Sequence, residues 1–228
     1  MSQCVALIHN SPVIIDVVRN VFKNVYPEAK LYNIMDESLL RDIKERGGID
    51  YLGIRRVYRY ALCAEDLGAD AVLMTCSSLC EAVFAARPML KIPAFAINEP
   101  MAEEAVEKGT RIVVMGTLRS VLAPTTRLVQ SKAVNAGKRI EVEEVLCAAA
   151  FDALMAGQPQ RHDELLMDEV DRAAGKGDVI LFGQGSMSRL VTEARNRVRV
   201  PVLESLESGV KQVRDHFATR RPAAGGGA

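Results

Sequence analysis

The chain has 228 residues, 49% of them hydrophobic, which suits one large domain or two small ones with a sizeable buried core. Its 29 basic and 29 acidic side chains cancel, so nothing in its charge favours nucleic acid or an anionic membrane as partner. No Trp and 5% aromatic residues leave little for base stacking.

Residues 5–8 form an apolar run of β type that ends in His9-Asn10-Ser11-Pro12. Helical spacing follows over 13–26, a strand over 29–34, a short helix over 39–44 and a long amphipathic helix over 49–67 closed by Gly68. A buried strand is expected at 71–74, a helix at 79–86, a strand at 92–97 and a helix at 101–108 closed by Gly109. The pattern then restarts. A strand at 111–115 leads through Gly116-Thr117-Leu118-Arg119-Ser120 to a helix at 121–136, stopped by Gly137. A strand at 140–146, a helix at 163–174, a strand at 178–182, a helix at 188–198, a short strand at 200–203 and a helix at 206–217 complete it. The Pro/Gly/Ala-rich tail, 219–228, is expected to be disordered.

The halves align with an offset of about 107–110 residues, the length of a small α/β domain. Val5-Ala-Leu-Ile8 answers Ile112-Val-Val-Met115, Asp70 answers Asp178, and Ile92-Pro93 answers Val200-Pro201. Strand–helix alternation predicts an α/β fold of two similar domains, each a parallel sheet flanked by helices, with the active site in the cleft between them. The expected boundaries are 1–98 plus 206–218 for the first domain and 99–205 for the second.

The five cysteines, Cys4, Cys63, Cys76, Cys80 and Cys147, are odd in number and irregular in spacing, so they form no disulfide framework. Cys76 and Cys80 lack the second Cys or His pair that a zinc site uses, and no metal is expected. No apolar run reaches the ~18 residues of a membrane span, and the first residues carry no targeting pattern. A reducing cytoplasm is the expected setting.

Cys76 is the residue to watch. It follows the apolar run 71–74, within Thr75-Cys76-Ser77-Ser78, and a helix begins just beyond. Ligands of open α/β sheets bind outside the carboxyl ends of the strands. A helix N-terminus there would favour thiolate over thiol and make Cys76 a better nucleophile or base.

These strand-end motifs, in this order, resemble the aspartate/glutamate racemase superfamily, which includes aspartate, glutamate and hydantoin racemases, maleate isomerase and arylmalonate decarboxylase. The resemblance runs to about Val213. Thr75-Cys76-Ser77-Ser78 looks like the first catalytic cysteine loop, His9-Asn10-Ser11 the first substrate loop, and Gly116-Thr117 with Ser120 the Gly-Thr-x-x-Thr/Ser loop. Gly183-Gln184-Gly185-Ser186 falls where racemases carry Gly-Cys-Thr, so Gln184 stands in for the second catalytic cysteine. Racemases use one cysteine on each face of the stereocentre. A Gln can donate hydrogen bonds but cannot shuttle a proton.

The resemblance therefore implies a cofactor-independent isomerase or racemase-like enzyme that acts next to a carboxylate or carbonyl of a small organic acid through Cys76 alone, by an enolate-like or Cys-adduct intermediate. The alternatives are a decarboxylase of the arylmalonate type and a non-catalytic small-acid binder. Expected substrate-binding residues are Asn10, Ser11, Thr75, Ser77, Ser78, Thr117, Ser120, Gln184, Gly185 and Ser186. Each has a plain structural role open to it: turn formation for Asn10 and Ser11, helix capping for Ser77 and Ser78. A homodimer is also implied. Arg119 is read as pairing a carboxylate or as solvated surface. His9 is a candidate acid or a hydrogen-bonded structural group. Glu99 either orients a substrate ammonium or stabilises a helix start. His162 and His216 read as surface.

Overall fold

The computed structural model describes residues 2–219; the expectation for the tail lies almost wholly outside them. Two four-stranded parallel sheets form in succession. The first half runs β1 (Cys4–His9), α1 (Val13–Val25), β2 (Lys30–Met35), α2 (Ser38–Arg46), α3 (Tyr51–Asp66), β3 (Ala71–Met74), α4 (Cys80–Ala86) and β4 (Ala94–Ala96). The second runs α5 (Glu99–Lys108), β5 (Arg111–Gly116), α6 (Arg119–Asn135), β6 (Glu141–Leu146), α7 (Ala148–Met155), α8 (Pro159–Ala174), β7 (Val179–Phe182), α9 (Val191–Arg197), β8 (Val202–Glu204) and α10 (Ser205–Ala218).

The strand orders are β2-β1-β3-β4 and β6-β5-β7-β8, the same topology twice. The two central strands of each sheet are apolar. β1, β3 and β7 are buried throughout, and β5 beyond Arg111. Strands covered on both faces need no alternation. The edge strands β2 and β6 are largely exposed and carry Lys30, Glu141, Glu143 and Glu144, charges that discourage edge-to-edge pairing. Asp70 and Asp178 brace the two sheets in the same way, the first accepting from the Cys4 N–H and the second from the Arg111 N–H.

One hydrophobic cluster surrounds the first sheet and takes in Leu206, Val210 and Val213 of α10. Two others cover the faces of the second sheet. α10 follows the last strand of the second half yet packs in the core of the first. A Cβ on Gly209 would come within 2.6 Å of the Ile97 carbonyl oxygen, so the glycine permits this approach.

The structure refines several expected boundaries. The strand expected at 92–97 is only Ala94–Ala96, because Pro93 has no N–H to give a ladder. The helices after β3 and β7 each begin with a 3-10 turn, Ser77–Leu79 and Gly185–Leu190. α7 was not expected, and α8 begins at Pro159 rather than 163. His162 is buried, not at the surface: it bonds Asp163 and lies beside Arg189.

Candidate active site

In each sheet the strand order reverses between the first and third strands, β1 and β3 or β5 and β7. Such switch points open a crevice at the carboxyl ends. At the first, β1 ends in Asn10 and Ser11 and β3 in Thr75 to Ser78. At the second, β5 ends in Thr117 and β7 in Gln184. The sheet registers make Cys76 and Gln184 equivalent. Val5 pairs Ala71 as Ile112 pairs Val179, and each residue lies five beyond its strand's first partner. Both are extended and both precede a 3-10 turn.

A cavity of about 250 Å³ lies between the halves. Its walls include Asn10, Ser11, Thr75, Cys76, Ser77, Ser78, Gln184, Gly185 and Ser186. The geometry thus gathers nine expected residues from three separate loops. Thr117 and Ser120 are not among its walls. Thr117 is buried behind Gln184, whose Oε1 accepts from the Thr117 N–H at 2.9 Å and from its hydroxyl at 3.2 Å. Ser120 offers its backbone carbonyl to the Ser78 hydroxyl at 3.1 Å, a bond that ties the two halves beside the cavity. Gln184 Nε2 donates to Ser186 Oγ at 2.9 Å, so the amide is held from both ends.

Cys76 is partly exposed and its thiol pKa is raised, not lowered as the helix-start argument expects. Burial of the sulfur is the larger effect. The Ser78 N–H, the Asn10 amide, the Ser78 hydroxyl and the Leu79 N–H all pull the other way. The donors the sequence places there are present; desolvation outweighs them. Asn10 Nδ2 is buried and, apart from its pull on the Cys76 thiolate, has no hydrogen-bond partner among the described residues. An acceptor of a ligand would satisfy it.

His9 does not reach the cavity. It is fully buried, with Nδ1 2.7 Å from Thr75 Oγ1 and Nε2 2.9 Å from Asn33 Oδ1. Its pKa is lowered, chiefly by burial. It supports Thr75 from behind. Arg119 is exposed and outside the cavity. Glu99 is buried under Arg87 and Lys132, which offset the cost of burying it and keep its pKa lowered. Cys80 is packed in α4, its thiol donating to the Cys76 carbonyl oxygen at 3.4 Å, and burial pushes its pKa far up. Among the described residues no three His, Cys, Asp or Glu side chains converge as metal ligands do.

The cavity also has walls that motif reading does not single out: Val13, Ile14 and Val17 of α1, Leu40 of α2 and Val121 of α6. A signal for the first three exists. Val13, Ile14, Ile15, Val17 and Val18 make the start of α1 more apolar than a single buried stripe needs.

Two parallel α/β halves that share a cleft make this an α/β protein of the fold seen in racemases. The chain belongs to the Asp/Glu/Hydantoin racemase family, whose model matches residues 50–213; isomerase or racemase chemistry is the class this membership supports. The fold is similar to that of allantoin racemase from Klebsiella pneumoniae, at 19% identity and TM-score 0.69, covering 96% of this chain and 89% of that one. It is also similar to Picrophilus torridus aspartate racemase, at 11% identity and TM-score 0.72, covering 95% of each chain. Glutamate racemase isoform RacE1 from Bacillus anthracis aligns at 14% identity and TM-score 0.67, over 96% of this chain and 83% of that one. No curated protein matches the chain in sequence.

Proposed function

We propose that this protein is a cofactor-independent isomerase or racemase-like enzyme that works beside a carboxylate or carbonyl of a small organic acid through Cys76 alone. The observation that carries the reading is chemical: among the described residues lining the cleft, Cys76 has the only titratable side chain. The Cys76 thiolate takes a proton from the carbon next to the carbonyl, and the electron pair moves onto oxygen as an enolate. The neutral donors Asn10, Ser11, Ser77, Gln184 and Ser186 face that developing charge, and a preorganised donor of this kind is worth about 3–4 kcal/mol; Thr75 and Ser78 line the cleft with their hydroxyl protons given to the Ile8 and Ser120 carbonyl oxygens. Thr117 fixes Gln184 for this task and Ser120 fixes Ser78. The thiol then returns its proton from the same side to an adjacent carbon, which completes a proton shift; return to the same carbon from that side only regenerates the substrate.

Gln184 stands where a two-base racemase needs its second thiol, and its amide can bind but not exchange protons. That feature favours a one-base reaction. It also favours the two alternatives, decarboxylation with protonation on one face and simple binding of a small acid. The reading includes a homodimer, as the family likeness implies, in the reducing cytoplasm that the unpaired cysteines suit.

The test is proton NMR in deuterated water with malonates, maleate, hydantoins and amino acids as candidates. A substrate turned over by the wild type, and not by Cys76→Ala with unchanged circular dichroism, is the expected result. Equal turnover by Cys76→Ala overturns the assignment. Stabilisation of both proteins by a small acid, with no turnover by either, selects the binding protein instead. Release of carbon dioxide with deuterium in the product alone selects the decarboxylase.

A further inference from the structure

The aliphatic side of the cleft has no part in the chemistry just described, and it is the larger unexplained feature of the site. Val13, Ile14 and Val17 lie on successive turns of α1, with Leu40 from α2 and Val121 from α6. Val13 is 78% exposed and Val17 40%. Neither is needed to close the core, yet both face the cleft. The same walls hold no Lys, Arg, Asp or Glu. A dicarboxylic amino acid would bring two carboxylates and an ammonium into a space with no counter-charge, and burying unpaired charge is costly.

We propose that the substrate carries an apolar substituent where aspartate or glutamate carries its side-chain carboxylate, and that Val13, Ile14, Val17, Leu40 and Val121 form the subsite that receives it. The polar head is then held by the strand-end loops, where Asn10 Nδ2, beside the Cys76 sulfur, has no oxygen acceptor among the described residues. The space is small, about 250 Å³, which suits a branched aliphatic or single-ring group. Ile14 fixes the subsite relative to the reacting end. Its Cδ1 lies 3.1 Å from where a Gly185 Cβ would stand, so α1 presses directly on the loop that carries Gln184. This inference rests on the cleft being the substrate site, and its test does not need turnover.

The probes are two acids of the same shape, 4-methylpentanoate and succinate, which differ only in exchanging a terminal isopropyl group for a carboxylate. Each is titrated for its ability to protect Cys76 from iodoacetamide, read by peptide mass mapping. Burial of a methylene is worth about fourfold in affinity, so 4-methylpentanoate should protect at a concentration at least about tenfold below that of succinate. Val17→Asp should abolish that preference without changing the circular dichroism. Val13→Asp, at an exposed helix start that tolerates an acid, provides the same test if Val17→Asp fails to fold. Equal or better protection by succinate, protection by neither acid, or a preference that survives both variants overturns the proposal. Failure of the Cys76 mechanism would appear separately, as turnover by Cys76→Ala.

Discussion

Burial raises the Cys76 pKa while the Ser78 and Leu79 N–H groups, the Asn10 amide and the Ser78 hydroxyl oppose it. The balance makes a testable statement about pH. The rate of alkylation of Cys76 should rise with a midpoint above the ~8.5 of a free thiol. Asn10→Ala removes a group that favours thiolate, so its midpoint should move further up; a fall would contradict the assigned role. The local sequence shows the donors, because Ser77, Ser78 and the start of the next helix are adjacent in the chain. It does not show the desolvation, because the residues that crowd the cleft, among them Val121 and Gly185, come from the other half. Distance in sequence also hides His162, which reads as polar helix surface until Arg189 and Asp163 close over it.

At the scale of elements, Asp178 shows how a short motif fixes a strand. Its carboxylate accepts from the N–H groups of Arg111 and Thr110 and from the Arg111 guanidinium, which holds its pKa down at about 2. A carboxyl lowered on folding stabilises the fold above its unfolded pKa, near 4, and the gain is lost as pH falls toward 2. Asp178→Asn should therefore unfold at lower denaturant than wild type at pH 7, with the gap closing below about pH 4. A gap independent of pH would contradict this. The central strands, most helices and the repeat were legible, since periodicity and the paired Asp70 and Asp178 motifs are written locally. α7 was not. Its residues, Ala148-Ala-Ala-Phe-Asp-Ala-Leu-Met155, show little division into polar and apolar faces, so no helical period stands out. The 3-10 turns before α4 and α9 straddle the helix starts expected at 79 and 188, and their first residues read as loop.

The whole molecule depends on how its halves are joined. Ser78 bonds the Ser120 carbonyl, Arg127 pairs with Glu81, and Glu99 sits between Arg87 and Lys132. Glu99 is 5% exposed, so this pairing is protected from solvent more than a surface bridge. Glu99→Ala leaves Lys132 with Glu103 alone. The loss of stability should fall between the ~0–1 kcal/mol of an exposed pair and the ~3–5 kcal/mol of a fully buried one. Denaturant melts at low and high salt measure it. No change at either salt would show that the pair does not brace the halves. Among the described residues no helix is long and apolar enough to cross a membrane. Fold duplication was legible in the offset of the strand motifs. The shared cleft was an inference from it, and its aliphatic side came into view only when α1, α2 and α6 were placed around the loops.

The most direct measurement compares lost activity with the extent of Cys76 alkylation, once a substrate is in hand. Cys63 is exposed and will react as well, whereas Cys4, Cys80 and Cys147 are buried. Activity should fall in proportion to the fraction of Cys76 modified, and modification of Cys63 should leave it unchanged. An enzyme that still turns over with Cys76 fully carboxamidomethylated would contradict the account.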